Sequence, residues 1–425
     1  MKKKFIMISI GVFILVIGIF IGTNLNKGDS FDDDTSASKP IVKENTLSMM
    51  IEQTVGAGDY KMETRTSWPT DGYMFNETLS KCENGGELGW DSEKDVVTMT
   101  GNMSDKCYIY FDLYVPTLSD YCSDGSKLST CIKTFASGEV TDITAIYYHS
   151  SNLTNGAEDN SYRYAGASDI VNNYVCFGNG EATCPIDNLY RIIGVFGDQV
   201  KLIKHDYATS TLLGTDGYYD EPYDSNSKYL GGDYSNVAAY FWSYNAKTRK
   251  NSNTWSTSLL NQTNLNTNFI NNIGTTWASK IATTTWKVGG NLHQNIIDVV
   301  PATTYANEIT NPVTTNTTDN ASTYSAKIGL MYVSDYGFAA APSAWTTIMN
   351  SYSTFTSVNW MYMGLNEWIL TRKSDSDYTA FTLDYSGNMC AYAVYAFAIR
   401  PVFYLTSDVT YKSGTGTSSD PIRIE

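Results

Sequence analysis

The sequence predicts an α+β protein with an N-terminal membrane helix, a small β-sandwich and a larger mixed C-terminal domain. A run that is apolar apart from Ser9 and three glycines covers residues 5–22. Short strand-like runs separated by Gly, Asn and Asp turns dominate the rest, and one segment near residue 265 has helical periodicity. With 425 residues, 42% of them hydrophobic, the chain is long enough for two or three folded units.

The N-terminal run has the length and flanking charge of a membrane anchor. Its 18 residues would span roughly 27 Å as a helix, close to the hydrocarbon thickness of a bilayer. Lys2, Lys3 and Lys4 precede it and would hold the N-terminus in the cytoplasm, so that the remainder is exported. The run is longer than a secretory signal and lacks a nearby small-residue cleavage site. We therefore predict an uncleaved single-pass signal anchor at 1–22, with a cleaved signal peptide as the alternative.

Charge and composition limit the partners of the exported part. The net charge is −15 and the isoelectric point is about 4.6, which repels phosphate backbones and predicts no nucleic-acid partner. Residues 23–45 contain three consecutive aspartates at 32–34 and few apolar side chains. This composition predicts a flexible tether between membrane and folded domains.

The seven cysteines fit an oxidising compartment. Six fall into neighbouring pairs, and although six cysteines permit several connectivities, local pairing is the simplest prediction. The predicted disulfides are Cys82–Cys107, Cys122–Cys131 and Cys176–Cys184. Cys390 is left over, either as a small buried side chain or as a residue of a tolerant surface segment. A catalytic thiol is disfavoured because no His is close in sequence.

Turn signals divide the exported chain. Residues 46–115 read as a small antiparallel sandwich, 116–165 as a connector, and 166–425 as the main domain. Residues 189–196 and 199–204 predict a hairpin around Gly197-Asp198. Ser256 and Thr257 are predicted helix N-caps, and Gly274 is the predicted stop.

Further strands are predicted along the main domain. They cover residues 327–333, 360–370, 378–385, 389–395 and 398–405, whereas 300–325 read as a long loop. Pro401 indicates an edge position or a bulge in the last strand.

Strand alternation sorts the hairpin at 378–395 into two faces. The predicted inward side chains are Phe381, Leu383, Met389, Ala391 and Ala393. The predicted outward, ligand-binding side chains are Tyr378, Thr382, Asp384, Asn388, Cys390 and Tyr392. Tyrosine suits such a surface because it offers a large contact area with a polar tip. The alternative is an ordinary sheet with a core face and a solvent face.

Several other residues favour structural roles. Trp345, Trp360 and Trp368 are predicted to lie in the core, and Arg400 to anchor a buried carboxylate or carbonyl groups. Residues 216–224 carry four acids that could bind Ca²⁺ through oxygen ligands, although their spacing differs from an EF-hand. A solvated acidic loop is the favoured reading there, and no other cofactor is predicted.

Seven sequence runs characterise the main domain. They are DNSYRYAG at 159–166, NYVCFG at 173–178, CPIDNLYRIIGVF at 184–196, WKVGG at 286–290, KIGLMYVSDYG at 327–337, IRPVFYL at 399–405 and DPIRI at 420–424. Through these runs the domain resembles a paralogous family of uncharacterised surface proteins from gut Firmicutes. The resemblance covers roughly residues 155–425 and implies a surface location without implying an activity.

More remotely, the domain resembles C-type-lectin-like folds of the formylglycine-generating-enzyme type. Those enzymes use two cysteines near this end, and this chain has only Cys390 there, so their chemistry is not carried over. The same fold hosts variable receptors diversified by retroelements. That likeness implies a variable binding face over residues 360–397.

These observations favour a membrane-anchored extracellular binding or adhesion protein without a catalytic constellation. Its partner would be an extracellular glycan or protein. Two alternatives stay open: a cell-envelope enzyme acting on glycans or peptidoglycan through paired carboxylates, and a pilin-like structural subunit.

Overall fold

The computed structural model describes residues 46–70, 72–102, 105–215, 219–222, 237–242, 253–312, 322–392 and 395–425. The predicted membrane helix, the predicted tether and Ala393 lie outside these residues. The chain divides into two compact units. Unit 1 takes the residues up to 50 with 62–68 and 76–110, and unit 2 takes 51–61, 69–75 and 111–425.

The described chain is a mixed α+β protein, as predicted. Its strands are β1 (Thr46–Glu52), β2 (Tyr60–Glu63), β3 (Tyr73–Phe75), β4 (Lys81–Cys82), β5 (Gly86–Asp91), β6 (Val96–Gly101), β7 (Lys106–Leu113), β8 (Ile146–Tyr148), β9 (Tyr162–Tyr164), β10 (Tyr174–Cys176), β11 (Leu189–Phe196), β12 (Gln199–Lys204), β13 (Tyr219–Pro222), β14 (Ala238–Phe241), β15 (Thr284–Lys287), β16 (Gly290–Asn291), β17 (Thr323–Ala326), β18 (Ile328–Gly329), β19 (Glu367–Lys373), β20 (Ala380–Leu383), β21 (Met389–Tyr392), β22 (Ala396–Phe397), β23 (Val402–Tyr404), β24 (Tyr411–Ser413) and β25 (Arg423–Ile424).

The helices are shorter and include 3₁₀ and π segments. The α-helices are α1 (Leu128–Gly138), α2 (Thr141–Thr144), α3 (Ser210–Leu213), α4 (Ile270–Ile273), α5 (Thr275–Ala278), α6 (His293–Ile296), α7 (Pro301–Tyr305) and α8 (Val333–Ala339). The 3₁₀ segments are Leu118–Asp120, Ile186–Asn188, Trp255–Thr257, Pro342–Ala344 and Met349–Val358, and the π segments are Leu260–Phe269 and Ala306–Thr310.

Unit 1 is built from antiparallel pairs. Strands β5 and β6 form a hairpin in which Gly86 lies opposite Gly101 and Asp91 opposite Val96. Strand β4 pairs with β7, which sets Cys82 directly opposite Cys107.

Unit 2 is organised around a seven-stranded sheet in the order β18-β23-β12-β11-β9-β8, with β10 also paired to β11. The predicted hairpin is confirmed: β11 and β12 pair antiparallel, with Phe196 opposite Gln199. Gly197 has a φ of +58°, which suits the first central position of a primed turn. Strands β8 and β9 come from the predicted connector, so the sheet draws on residues upstream of 166 as well.

Smaller sheets complete unit 2. They have the orders β13-β14-β22 and β16-β19-β20-β21, with the two-stranded pairs β15-β17 and β24-β25. Apolar side chains from these sheets and from the helices between them form one large buried cluster. The hairpin β20–β21 is therefore attached to a packed core.

The helical segment after residue 255 starts later than predicted. Ser256 and Thr257 lie in a 3₁₀ turn, and Ser258 Oγ accepts from Asn261 N at 3.3 Å, so Ser258 takes the predicted capping role. The segment ends at Gly274, as predicted, with a φ of +79°. Its asparagines bind carbonyl groups of neighbouring segments: Asn264 and Asn268 donate to Leu213 O, at 2.9 and 2.8 Å.

Two local predictions are wrong. Residues 301–310, predicted as loop, are helical, and Pro301 begins α7 at a position where a missing N–H costs nothing. The strand predicted at 327–333 is confined to Ile328–Gly329, because Val333 already begins α8. The Glu308 carboxylate accepts from Val333 N and Ser334 N, both at 3.0 Å, and so satisfies the start of that helix.

Pro401 does not mark an edge strand or a bulge. Strand β23 begins one residue later and lies between β18 and β12. The proline thus avoids the ladder position at which an N–H would be needed.

The predicted disulfides are confirmed as Cys82–Cys107, Cys122–Cys131 and Cys176–Cys184. Cys390 is the free cysteine. Among the described residues, no helix combines the length and apolarity that a bilayer crossing requires.

Non-reducing proteolysis and mass spectrometry should return these three linked pairs and one unlinked Cys390 peptide. Alkylation of Cys390 in the folded protein should be slow near neutral pH, because burial raises the pKa of its thiol to about 11. Breaking one disulfide by Cys→Ser substitution of both partners should cost about 2–4 kcal/mol in the free energy of unfolding. A linked Cys390 peptide would contradict this pairing.

Candidate functional site

The hairpin β20–β21 carries the residues predicted to bind a ligand. Thr382 lies opposite Cys390 and Leu383 opposite Met389. The inward face is confirmed for Phe381, Leu383 and Met389, which are at most 1% exposed. Ala391 is half-buried and packs against the core, whereas Ala393 lies outside the described residues.

The outward prediction for Thr382 is wrong, because its side chain is fully buried. Its hydroxyl oxygen lies 3.1 Å from the Cys390 sulfur. Strand β20 is held between β19 and β21, and all four of its residues are buried. Alternation identifies which residues share a face, but it does not say whether that face is covered by the rest of the molecule.

Asp384 and Asn388 build the hairpin turn. Asp384 Oδ1 accepts from Ser386 N at 2.8 Å and from Asn388 N at 3.0 Å. Asn388 Oδ1 accepts from Ser353 N at 2.8 Å, which ties the turn to the preceding 3₁₀ segment. Gly387 has a φ of +93°, a backbone conformation that glycine adopts readily because it has no Cβ. The two polar side chains are thus engaged in the fold.

Tyr378 and Tyr392 lie at the opposite, open end of the hairpin. Ala380 is paired with Tyr392, and Tyr378 precedes Ala380 by two residues. Tyr378 is 44% exposed and Tyr392 is 37% exposed. At about 3.4 Å per residue, Asp384 is roughly 14 Å along the chain from Ala380, the residue opposite Tyr392. The predicted set therefore separates into an exposed aromatic end and a structural turn end.

An aromatic cluster of Tyr392, Tyr395 and Phe397 forms at the open end. The ring centroids of Tyr392 and Tyr395 are 5.5 Å apart, and Tyr395 stacks on Phe397 at 5.7 Å. Phe397 in turn packs on buried Trp368 at 5.0 Å. Tyr395 is 54% exposed, whereas Phe397 and Trp368 are buried, so solvent-exposed tyrosines pack on buried aromatic side chains.

Cys390 sits just below this cluster and is not activated. Burial is the largest cause that raises the pKa of its thiol to about 11, which leaves the neutral form dominant at pH 7. A neutral thiol is a weak nucleophile. Its environment is that of a half-buried small side chain.

The predicted core residues are confirmed. Trp345, Trp360 and Trp368 are each 1% exposed. The Arg400 guanidinium, also buried, donates from Nε and Nη2 to the two oxygens of Glu367, each at 2.8 Å. Arg400 therefore anchors a buried carboxylate, as predicted.

Buried acids elsewhere in unit 2 form structural pairs. Asp335 binds Lys201 Nζ at 2.5 Å and lies 3.7 Å from Arg163, which also binds Asp159 at 2.6 Å. Burial raises the pKa of Glu308 to about 7, a value suited to a general acid. Glu308 is only 3% exposed, and its oxygens accept from the start of α8. These contacts indicate that Glu308 has a structural role.

Among the residues that the structure describes, no three or more His, Cys, Asp or Glu side chains lie close enough together to hold a metal ion. The side chains of the acidic segment 216–224, the candidate Ca²⁺ loop, lie outside the described residues.

Sequence reasoning missed two exposed aromatic residues, Tyr395 and Tyr385, the latter 56% exposed at the turn. The signal was present in the spacing: Tyr395 follows Tyr392 by three residues, just before the short strand β22. The placement of Tyr395 depends on how β22 pairs with β14, which is a long-range contact.

Comparison with known proteins gives no neighbour for this chain: no family model, curated protein or solved structure matches it. The site must therefore be interpreted from its own chemistry.

Proposed function

We propose that this protein is a membrane-anchored extracellular ligand-binding or adhesion protein. In this proposal residues 5–22 span the cell membrane once, a small β-sandwich follows the tether, and a C-type-lectin-like domain faces the exterior. The bulk of the chain is outside the cell and contacts a glycan or a protein. The uncharacterised surface-protein family resembled by residues 155–425 fits the same role.

The observation that carries the proposal is the aromatic cluster at the open end of the β20–β21 hairpin. Tyr392 and Tyr395 are both exposed and both contact the Phe397 ring, which packs on buried Trp368. Rigid tyrosines on a fixed base lose little conformational entropy on binding and contribute disproportionately to interface energies. Three disulfides further support an oxidising, extracellular location.

The full chain, purified in a mild detergent, should bind at least one member of an array of glycans and extracellular proteins. Replacing Tyr378, Tyr392 and Tyr395 together by Ala should weaken that binding by more than about 30-fold, since central aromatic residues each contribute about 2 kcal/mol or more. Affinity is measured by biolayer interferometry.

Tyr385→Ala is the matched control, because Tyr385 is equally exposed but lies at the turn end. It should leave affinity unchanged. The proposed face is wrong if the triple variant binds like the unmodified protein while both melt at the same temperature.

A further inference from the structure

A second surface of unit 2, away from the hairpin residues, forms a cleft of about 770 Å³. Its walls are the disulfide loop at 176–184, residues 276–280 around the end of α5, and the C-terminal residues 412–425. This volume lies within the usual range of small-ligand sites. The Cys176–Cys184 disulfide closes the loop that forms one wall.

Trp277 supplies an aromatic wall to the cleft. Its ring centroid lies 5.0 Å from that of buried Phe177, at an interplanar angle of 67°. This edge contact fixes the indole against the core. A half-buried, fixed indole provides a flat apolar surface beside a polar cleft, which suits the C–H face of a sugar ring.

Arg423 contributes a hydrogen-bond donor with no assigned use. Its Nη2 donates to Ala182 O at 2.6 Å, which orients the guanidinium plane. Its Nη1 is buried and has no hydrogen-bond partner among the described residues. An unsatisfied buried donor carries a desolvation cost that a ligand oxygen would remove.

The charges that line the cleft balance. The positively charged side chains are those of Lys280, Lys412 and Arg423, and the negatively charged ones are those of Glu181, Asp420 and Glu425. Lys412 is paired with Glu425, and Asp420 Oδ2 accepts from Thr415 N at 2.9 Å. The cleft therefore has no net side-chain charge to attract an ion, and the overall charge of −15 disfavours a polyanion.

The rest of the polar lining is mostly hydroxylic. It consists of Thr183, Thr276, Ser413, Ser418 and Ser419, together with the amide side chain of Asn179. Hydroxyl groups donate and accept at once, so they match a ligand that is itself covered with hydroxyl groups.

We infer that this cleft binds a neutral oligosaccharide, with one sugar ring lying on Trp277 and one of its oxygens accepting from the Arg423 guanidinium. This site is separate from the aromatic cluster, and the inference does not depend on what that cluster binds. An acidic glycan or a peptide would find no net charge to favour it here.

Isothermal titration of the full chain with cellotriose, triacetylchitotriose and maltotriose tests the inference directly. At least one of these neutral trisaccharides should bind. Trp277→Ala should weaken that binding about tenfold through loss of the aromatic surface, and Arg423→Gln about fivefold through loss of the hydrogen bond. Trp277→Phe should retain most of the affinity.

Two controls keep the test decisive. Tyr385→Ala, at an exposed aromatic residue outside the cleft lining, should leave trisaccharide affinity unchanged, and circular dichroism melting should show that each variant is folded. The inference is overturned if none of the three sugars binds, if binding survives both Trp277→Ala and Arg423→Gln, or if only sialylated glycans or peptides bind.

Discussion

Replacing Arg400 by Met should lower the free energy of unfolding by about 3–5 kcal/mol, because it leaves the buried carboxylate of Glu367 without a counter-charge. Both side chains of this pair are 1% exposed and share two hydrogen bonds. Arg400 also donates to Met361 O at 2.8 Å. The substitution therefore removes the partner of a carboxylate on β19 and of a nearby carbonyl group.

Urea unfolding followed by tryptophan fluorescence measures this effect. The double variant Glu367→Gln/Arg400→Met should recover part of the lost stability, because it no longer buries an unpaired charge. Lys412→Met provides the surface comparison, since the Lys412–Glu425 pair is about half exposed and its loss should change the free energy of unfolding far less than the loss at Arg400. A loss at Arg400 as small as that at Lys412 would show that the buried pair is not formed.

Acid should destabilise the fold through His149 as the pH falls below about 6.5. His149 is fully buried between Phe338 and Trp345. Burial, and then the nearby Arg163 charge, lower the pKa of His149 to about 3. The neutral ring therefore contributes stability above the unfolded-state pKa of about 6.5, and that stability is lost as the pH falls toward 3, by an amount on the order of 4 kcal/mol.

The measurement compares the unfolding free energy of the unmodified chain and of His149→Gln between pH 7.5 and 4. The variant should lose less stability on acidification. The comparison is needed because Glu308, whose pKa burial raises to about 7, gives the opposite slope: it favours the folded state as the pH falls from about 7 toward 4.5. The variant His293→Gln is the control for removing a surface histidine, because the His293 side chain is 44% exposed. Parallel pH profiles for the unmodified chain and His149→Gln would contradict this role.

The sequence predicted those elements that are determined by residues close together in the chain. The β11–β12 hairpin follows from two apolar strand runs joined at Gly197, and the disulfides follow from neighbouring cysteines. The burial of Trp360 and the anchoring role of Arg400 follow from the chemistry of those side chains. These are the parts of the fold that sequence reasoning recovered.

The remaining features depend on long-range packing. Thr382 is buried because strands lie on both sides of β20 and the rest of the domain covers its faces. Residues 301–310 are helical although they include Thr303, Thr304 and Thr310, and Thr forms helices only weakly on its own. The cleft joins Trp277 to Arg423, which are far apart in sequence, so no local pattern could indicate it.

Protease shaving of intact cells that express the full chain tests the central claim most directly. If the protein is anchored by residues 5–22 with its folded part outside, externally added protease should release peptides from within residues 46–425. A cytosolic marker protein should stay intact. Protection of residues 46–425 until the cells are lysed would contradict an extracellular binding protein.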